Sequence, residues 1–196
     1  MHLRASVTVV VLVTLALGGW TGLVHADDPI ASLNRSIQER FMDVDKTFGL
    51  RRIVVIGDTP HQFRPESVAE LSAVQELKDG GLRVAFYLAG RRVLDREPDL
   101  TTKEPFALNR RVIFGPISVT DRGSEVGLPA AFDLIEESRL AFQTLIKRDR
   151  HDFVVADWKF TARAVRATTS QCLSCHRGRN IGDPLGVVLY AYQPRE

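Results

Sequence analysis

Both cysteines of this 196-residue chain fall within one short run, Cys172-Leu173-Ser174-Cys175-His176, inside "TTSQCLSCHRGRN". Two thiols three positions apart with a histidine directly behind the second give the spacing C-x-x-C-H, the attachment sequence for a c-type haem. The spacing follows from the chemistry. Two thiols add across the two vinyl groups of haem, and a short helical turn sets the sulfurs apart by about the vinyl separation. The adjacent histidine is thereby carried beneath the iron, where an imidazole nitrogen becomes an axial ligand. The expected cofactor is therefore one covalently attached haem c, bound by Cys172, Cys175 and His176.

Three rival chemistries compete for the same residues. A structural zinc site needs four ligands, and a histidine adjacent to the second cysteine is poorly placed to close a tetrahedron with it. A thioredoxin-like dithiol sits at the start of a long helix within a βαβ frame, whereas Gly178 and Gly182 interrupt any long helix here. A disulfide between Cys172 and Cys175 closes a loop too small to stabilise a chain of this length appreciably. Haem attachment is the reading that uses every residue of the motif.

The other side of the iron is less determined. No third cysteine exists to serve as thiolate, so the side chains on offer are His61, His151 and Met42. His61, in "GDTPHQF" at the exit of an expected strand, is taken as the candidate metal ligand beside His176, with an open or water-occupied iron as its main competitor. His151 lies in the charged segment "KRDRHDF" and reads first as a solvated surface residue; Met42 adjoins an apolar helical stripe and reads first as core filler. Arg163, Arg166, Arg177 and Arg179 surround the motif and are candidates for the haem propionates, against the competing reading of solvated surface arginines. Trp158 reads first as a core residue.

The elements that must position this motif can be read from periodicity. The first 26 residues, with Arg4, an apolar run from Val7 to Leu17 and the exit Val24-His25-Ala26, have the layout of a secretory signal peptide, against the alternative of an uncleaved membrane anchor. Cleavage before Asp27 leaves a single domain over 27–196, with 25 basic against 24 acidic residues. So balanced a chain gives no electrostatic reason to expect nucleic acid or an anionic membrane as partner. Leu33, Ile37, Phe41, Val44 and Phe48 predict a helix over 30–48, "RRIVVIG" a strand over 51–57, and Pro65-Glu66-Ser67 a helix running to Lys78. From Leu82 the period becomes two, and "LAGRRVL" suggests a tight hairpin; residues 95–110 read as a surface loop, and "RVIFGPISV" as a strand bent at Gly115-Pro116. Pro129 opens a long helix to Arg148 with Leu134, Ile135, Ser138, Ala141, Phe142 and Leu145 inward. "DWKFTARA" alternates as a strand, the cysteine motif follows, and "PLGVVLYAY" supplies the last strand. The order implies an α+β domain with a mainly antiparallel sheet and flanking helices.

"QCLSCHRG" with the succeeding "GDPLGVVLYAY" resembles exported single-haem c-type cytochromes in which the C-x-x-C-H lies near the carboxyl end of a PAS-like α/β domain. In that family the haem turn is followed by a glycine-containing segment and a terminal strand, as residues 182–190 suggest here. The resemblance implies a periplasmic or otherwise exported haem domain that carries single electrons between redox partner proteins, or senses a diatomic gas or redox signal. A haem peroxidase is a further alternative, although no motif for a distal acid–base pair is seen. The four-helix-bundle cytochromes fit less well, because "DWKFTARA" and "GVVLYAY" alternate as strands where a bundle needs helical spacing.

Overall fold

Leu33 and Ile37 lie four residues apart and are both fully buried, the spacing that seats one face of helix α1 (Ala31–Met42) on the body of the protein. The computed structural model describes residues 28–42, 62–90 and 113–195, the side chain of Cys175 excepted. The leader, the inward residues Val44 and Phe48, the strand expected at 51–57, His61, the return strand of the "LAGRRVL" hairpin and the loop at 95–110 lie outside the described residues.

Helix α2 (Val68–Asp79) begins where the sequence signals it. The Ser67 hydroxyl accepts the Glu70 N–H at 3.1 Å while the Glu70 carboxylate accepts the Ser67 N–H at 3.1 Å, closing a reciprocal capping box. Glu70 also ties the two helices together. It is only 2 % exposed, and its carboxylate lies 2.7 Å from the Arg40 guanidinium of α1.

Strand β1 (Leu82–Gly90) follows, then β2 (Ile113–Ser118). The expected bend in β2 is present. The Gly115-Pro116 bond is cis, the register with β1 shifts between Phe86 and Leu88, and a Cβ on Gly115 would stand 2.9 Å from the Phe86 carbonyl oxygen. The long helix expected from Pro129 is shorter and composite: a 3₁₀ turn at Ala131–Leu134 leads into α3 (Ile135–Leu145). Its inward stripe is as expected, Leu134, Ile135, Ser138, Ala141, Phe142 and Leu145 all being buried.

Strands β3 (His151–Val155) and β4 (Trp158–Arg166) form a hairpin that periodicity did not reveal on its first arm. Val155 pairs with Trp158 across the two-residue turn Ala156-Asp157, both with positive φ (48° and 66°), the backbone of a type I′ turn. A short helix α4 (Ser170–Cys175) comes next, and β5 (Pro184–Pro194) ends the fold.

The five strands form one open antiparallel sheet in the order β2-β1-β5-β4-β3. Helices cover both faces. Val84, Phe86 and Leu88 of β1 and Val188 and Tyr190 of β5 face α1 and α2, while Tyr87, Leu189, Phe160 and Trp158 face α3. The described residues thus form an α+β fold with four α-helices and a five-stranded sheet, and Trp158 belongs to its core at 2 % exposure. Among the described residues no helix is long and apolar enough to cross a membrane.

Candidate functional site

Pairing between β4 and β5 ends at Arg166 opposite Pro184, and residues 168–181 bulge out between them. The base of this excursion is closed by backbone: Gly182 N–H donates to the Ala167 carbonyl at 2.7 Å and Ala167 N–H to the Asp183 carbonyl at 2.9 Å. Arg166 adds a side-chain clamp. Its guanidinium donates to the carbonyls of Gly182 (3.0 Å), Leu145 (2.7 Å) and Arg148 (3.1 Å), fastening the far side of the loop to the end of α3.

Helix α4 within this loop carries the cysteine motif. Helical spacing of three places positions 172 and 175 on one side of the turn. The His176 N–H donates to the Cys172 carbonyl at 3.1 Å, and His176 then leaves the helix at φ −101°, ψ 61°. Gly178, at φ 75°, takes a backbone conformation that ends any continuation. The six-residue helix is too short for a thioredoxin-like frame, as the two glycines imply.

Cys172 is half-buried, and burial pushes its thiol up; the Thr169 hydroxyl beside its sulfur at 3.5 Å and the backbone N–H groups of Thr169, Thr168 and Cys172 outweigh this, so the thiol lies below its usual range. A lowered thiol carries a larger share of thiolate, the form that reacts as nucleophile and binds metals. Thr169 was absent from the expected set, although a threonine just ahead of a helix carries an N-cap signal. His176 is half-buried.

The candidates for neighbouring roles separate in space. Beside the loop, α1 and β4 flank an open hollow of about 310 Å³ lined by Asn34, Gln38, Met42, Asp149, Arg163, Ala164, Arg166 and Thr168. This is near the lower end of the roughly 300–1,000 Å³ typical of ligand pockets, room for an edge of a flat cofactor. Met42, Arg163 and Arg166 therefore come together next to the first residue of the loop. Arg163 is not a solvated surface group: it is paired with Asp28 and donates to the Asp149 carbonyl at 2.9 Å, whereas Arg166 keeps 30 % of its side chain exposed. Arg177 is exposed and Arg179 half-buried.

His151 departs from the surface reading. It opens β3 opposite Ala162, its ring lies 5.7 Å from that of Phe153, and its Nε2 is buried without a hydrogen-bond partner among the described residues. Phe153 stacks on Phe160 at 4.9 Å, which puts this cluster on the α3 face of the sheet, whereas the hollow opens toward α1. His61 lies outside the described residues.

The donor set fits a covalently held haem. A helical turn bears two cysteines at the attachment spacing and a histidine at its end; the hollow beside it holds two arginines, the Asp149 carboxylate, two amides and a thioether. Comparison with protein-family models, with curated proteins and with solved structures gave no match.

Proposed function

We propose that the protein is an exported, single-haem c-type cytochrome that carries electrons one at a time. The observation that carries this reading is the C-x-x-C-H run on a short helical turn, held on a loop whose base is fastened to the sheet. Bound haem supplies a single-electron couple between ferrous and ferric iron. Cys172 and Cys175 would hold the group through thioethers, each thiol adding its sulfur and its hydrogen across one vinyl double bond. His176 offers an imidazole nitrogen to the metal from the end of the same turn.

The remaining residues hold and tune. Arg166 and the Ala167–Gly182–Asp183 hydrogen bonds fix the loop, so His176 would be offered to the metal from a braced turn. An open antiparallel sheet in the order β2-β1-β5-β4-β3 with helices on both faces supports a PAS-like domain, in keeping with the resemblance carried by "QCLSCHRG" and the terminal strand. The amino-terminal leader supports delivery to the periplasm or another exported compartment, where covalent haem attachment takes place. Its partners are then a donor and an acceptor protein, not a substrate.

A redox titration of protein expressed with a c-haem maturation system tests this. A single reversible one-electron couple, with a reduced spectrum unchanged by carbon monoxide, is expected. Ready binding of carbon monoxide by the reduced form would favour a gas-sensing module. Turnover of peroxide well above a free-haem control would favour an enzyme.

A further inference from the structure

Three arginines far apart in the chain meet at the end of the sheet opposite the attachment loop. Because β2, β1 and β5 are antiparallel neighbours, the exit of β2, the start of β1 and the end of β5 lie side by side: Ser118 pairs with Ala85, and Leu82 with Pro194. This gathers Arg83, Arg122 and Arg195 around an open hollow of about 350 Å³ whose remaining lining is Asp121, Gly123 and Ser124. The 11 residues of β5 set it roughly 35 Å from the attachment loop. Its walls are fixed. The Thr120 hydroxyl accepts the Val84 N–H at 3.0 Å, and the buried Ser124 hydroxyl donates to the Val84 carbonyl at 3.0 Å. The Arg83 guanidinium donates to the Val126 carbonyl at 2.9 Å and lies over the Trp158 ring, 5.2 Å from its centre. Arg195 donates to the Leu82 carbonyl at 3.3 Å and meets the Asp121 carboxylate at 2.6 Å. Each guanidinium has five N–H groups, so these contacts leave donors over on both. Arg122 is exposed and makes no hydrogen bond or ion pair among the described residues.

We infer that this hollow binds a phosphoryl dianion, carried as free phosphate or as a phosphate monoester. Its lining sets three guanidiniums against one carboxylate, which leaves two positive charges for a doubly charged ligand to match. Glu125, in the same loop, is paired with the Ser118 hydroxyl, and Glu196 lies outside the described residues. A phosphoryl group offers three charged oxygens to the planar guanidinium forks, where a carboxylate offers two. Asp121 on Arg195 is an oxyanion already seated on this wall, and therefore a competitor for the same donors. Arg83 and Arg195 are held by the protein before any ligand arrives, so little side-chain freedom is lost on binding. The site stands apart from the cysteine motif and does not depend on the haem reading.

The test is calorimetric titration of the purified full chain with inorganic phosphate and, separately, glycerol 3-phosphate, over a chloride background, each variant first checked for native far-ultraviolet dichroism. Saturable binding at one site per chain is expected, and the tighter of the two probes tells whether the phosphoryl group comes free or on an organic carrier. Arg122→Ala should weaken binding about tenfold, the scale of one charge-assisted contact. Asp121→Asn, which removes the competing carboxylate, should tighten it. Lys147→Ala deletes an exposed charge elsewhere and should leave the affinity unchanged. Absence of saturable binding of both probes to the wild type and to Glu196→Gln alike overturns the assignment. So does an affinity that Lys147→Ala lowers as much as Arg122→Ala, which would mark general attraction of counter-ions, or one that Asp121→Asn weakens.

Discussion

At the scale of single residues, the attachment motif and the group that braces it differ in how they can be known. Cys172, Cys175 and His176 are neighbours in the chain, so their joint chemistry is written in a five-residue run. Arg166 is a neighbour of the motif too, but what it does depends on carbonyls at positions 145, 148 and 182 that only the folded chain brings to it. From sequence it could be no more than one of four arginines suited to a propionate. Arg166→Ala should remove the clamp and cost about 2 kcal/mol, the scale of hydrogen bonds from a charged donor at a partly exposed site. A urea titration would read this as a lowered midpoint. On the proposed haem reading, the same variant should retain less covalent haem per chain, because the loop would have to hold its shape while both thioethers form.

Helix and strand starts were legible where local chemistry sets them. Ser67 and Glu70 announce α2 through the capping box, yet the buried ion pair from Glu70 to Arg40 spans two helices and left no local trace. Glu70→Ala removes the cap partner and the nearest carboxylate of Arg40, whose guanidinium, 8 % exposed, keeps the Arg64 carbonyl at 2.9 Å and the Glu66 carboxylate at 3.6 Å; the expected loss is about 2 kcal/mol, measured as denaturant stability. Strand β3 escaped notice because its turn is Ala156-Asp157 instead of the Asn-Gly that usually marks a two-residue hairpin. With no such marker, "KRDRHDF" read as a charged surface segment. Both turn residues hold a left-handed backbone that Asn and Gly adopt with less strain. Replacing the pair (Ala156→Asn, Asp157→Gly) should therefore raise stability by about 1 kcal/mol, visible as a higher urea midpoint with an unchanged slope.

Across the whole molecule, the sheet is buried on both sides, and that follows from alternation: β1 sends Val84, Phe86 and Leu88 to one helical layer and Tyr87 and Ala89 to the other. The α+β class was readable from such periods, whereas the order of the strands, set by pairings between distant segments, was not. Each layer buries a tyrosine. The Tyr87 hydroxyl donates to the Pro129 carbonyl at 2.7 Å and the Tyr190 hydroxyl to Asn34; burial, the larger cause in both, raises each above the ordinary value of 10.0, with the nearby Asp133 charge adding to the effect at Tyr87. A raised folded value means that stability is fully present below 10.0 and declines as pH climbs past it, because only the unfolded chain can then ionise. Urea midpoints followed from neutral pH upward should fall beyond that value, and Tyr87→Phe, costing about 1 kcal/mol at neutral pH, should fall less steeply. The central claim, that this fold presents a turn for covalent haem, is tested most directly by the intact mass of the denatured chain after expression with a c-haem maturation system. The wild type should carry the added mass of one haem, and the Cys172→Ala/Cys175→Ala variant none. A bare polypeptide mass for the wild type, or an undiminished adduct on the double variant, would contradict it.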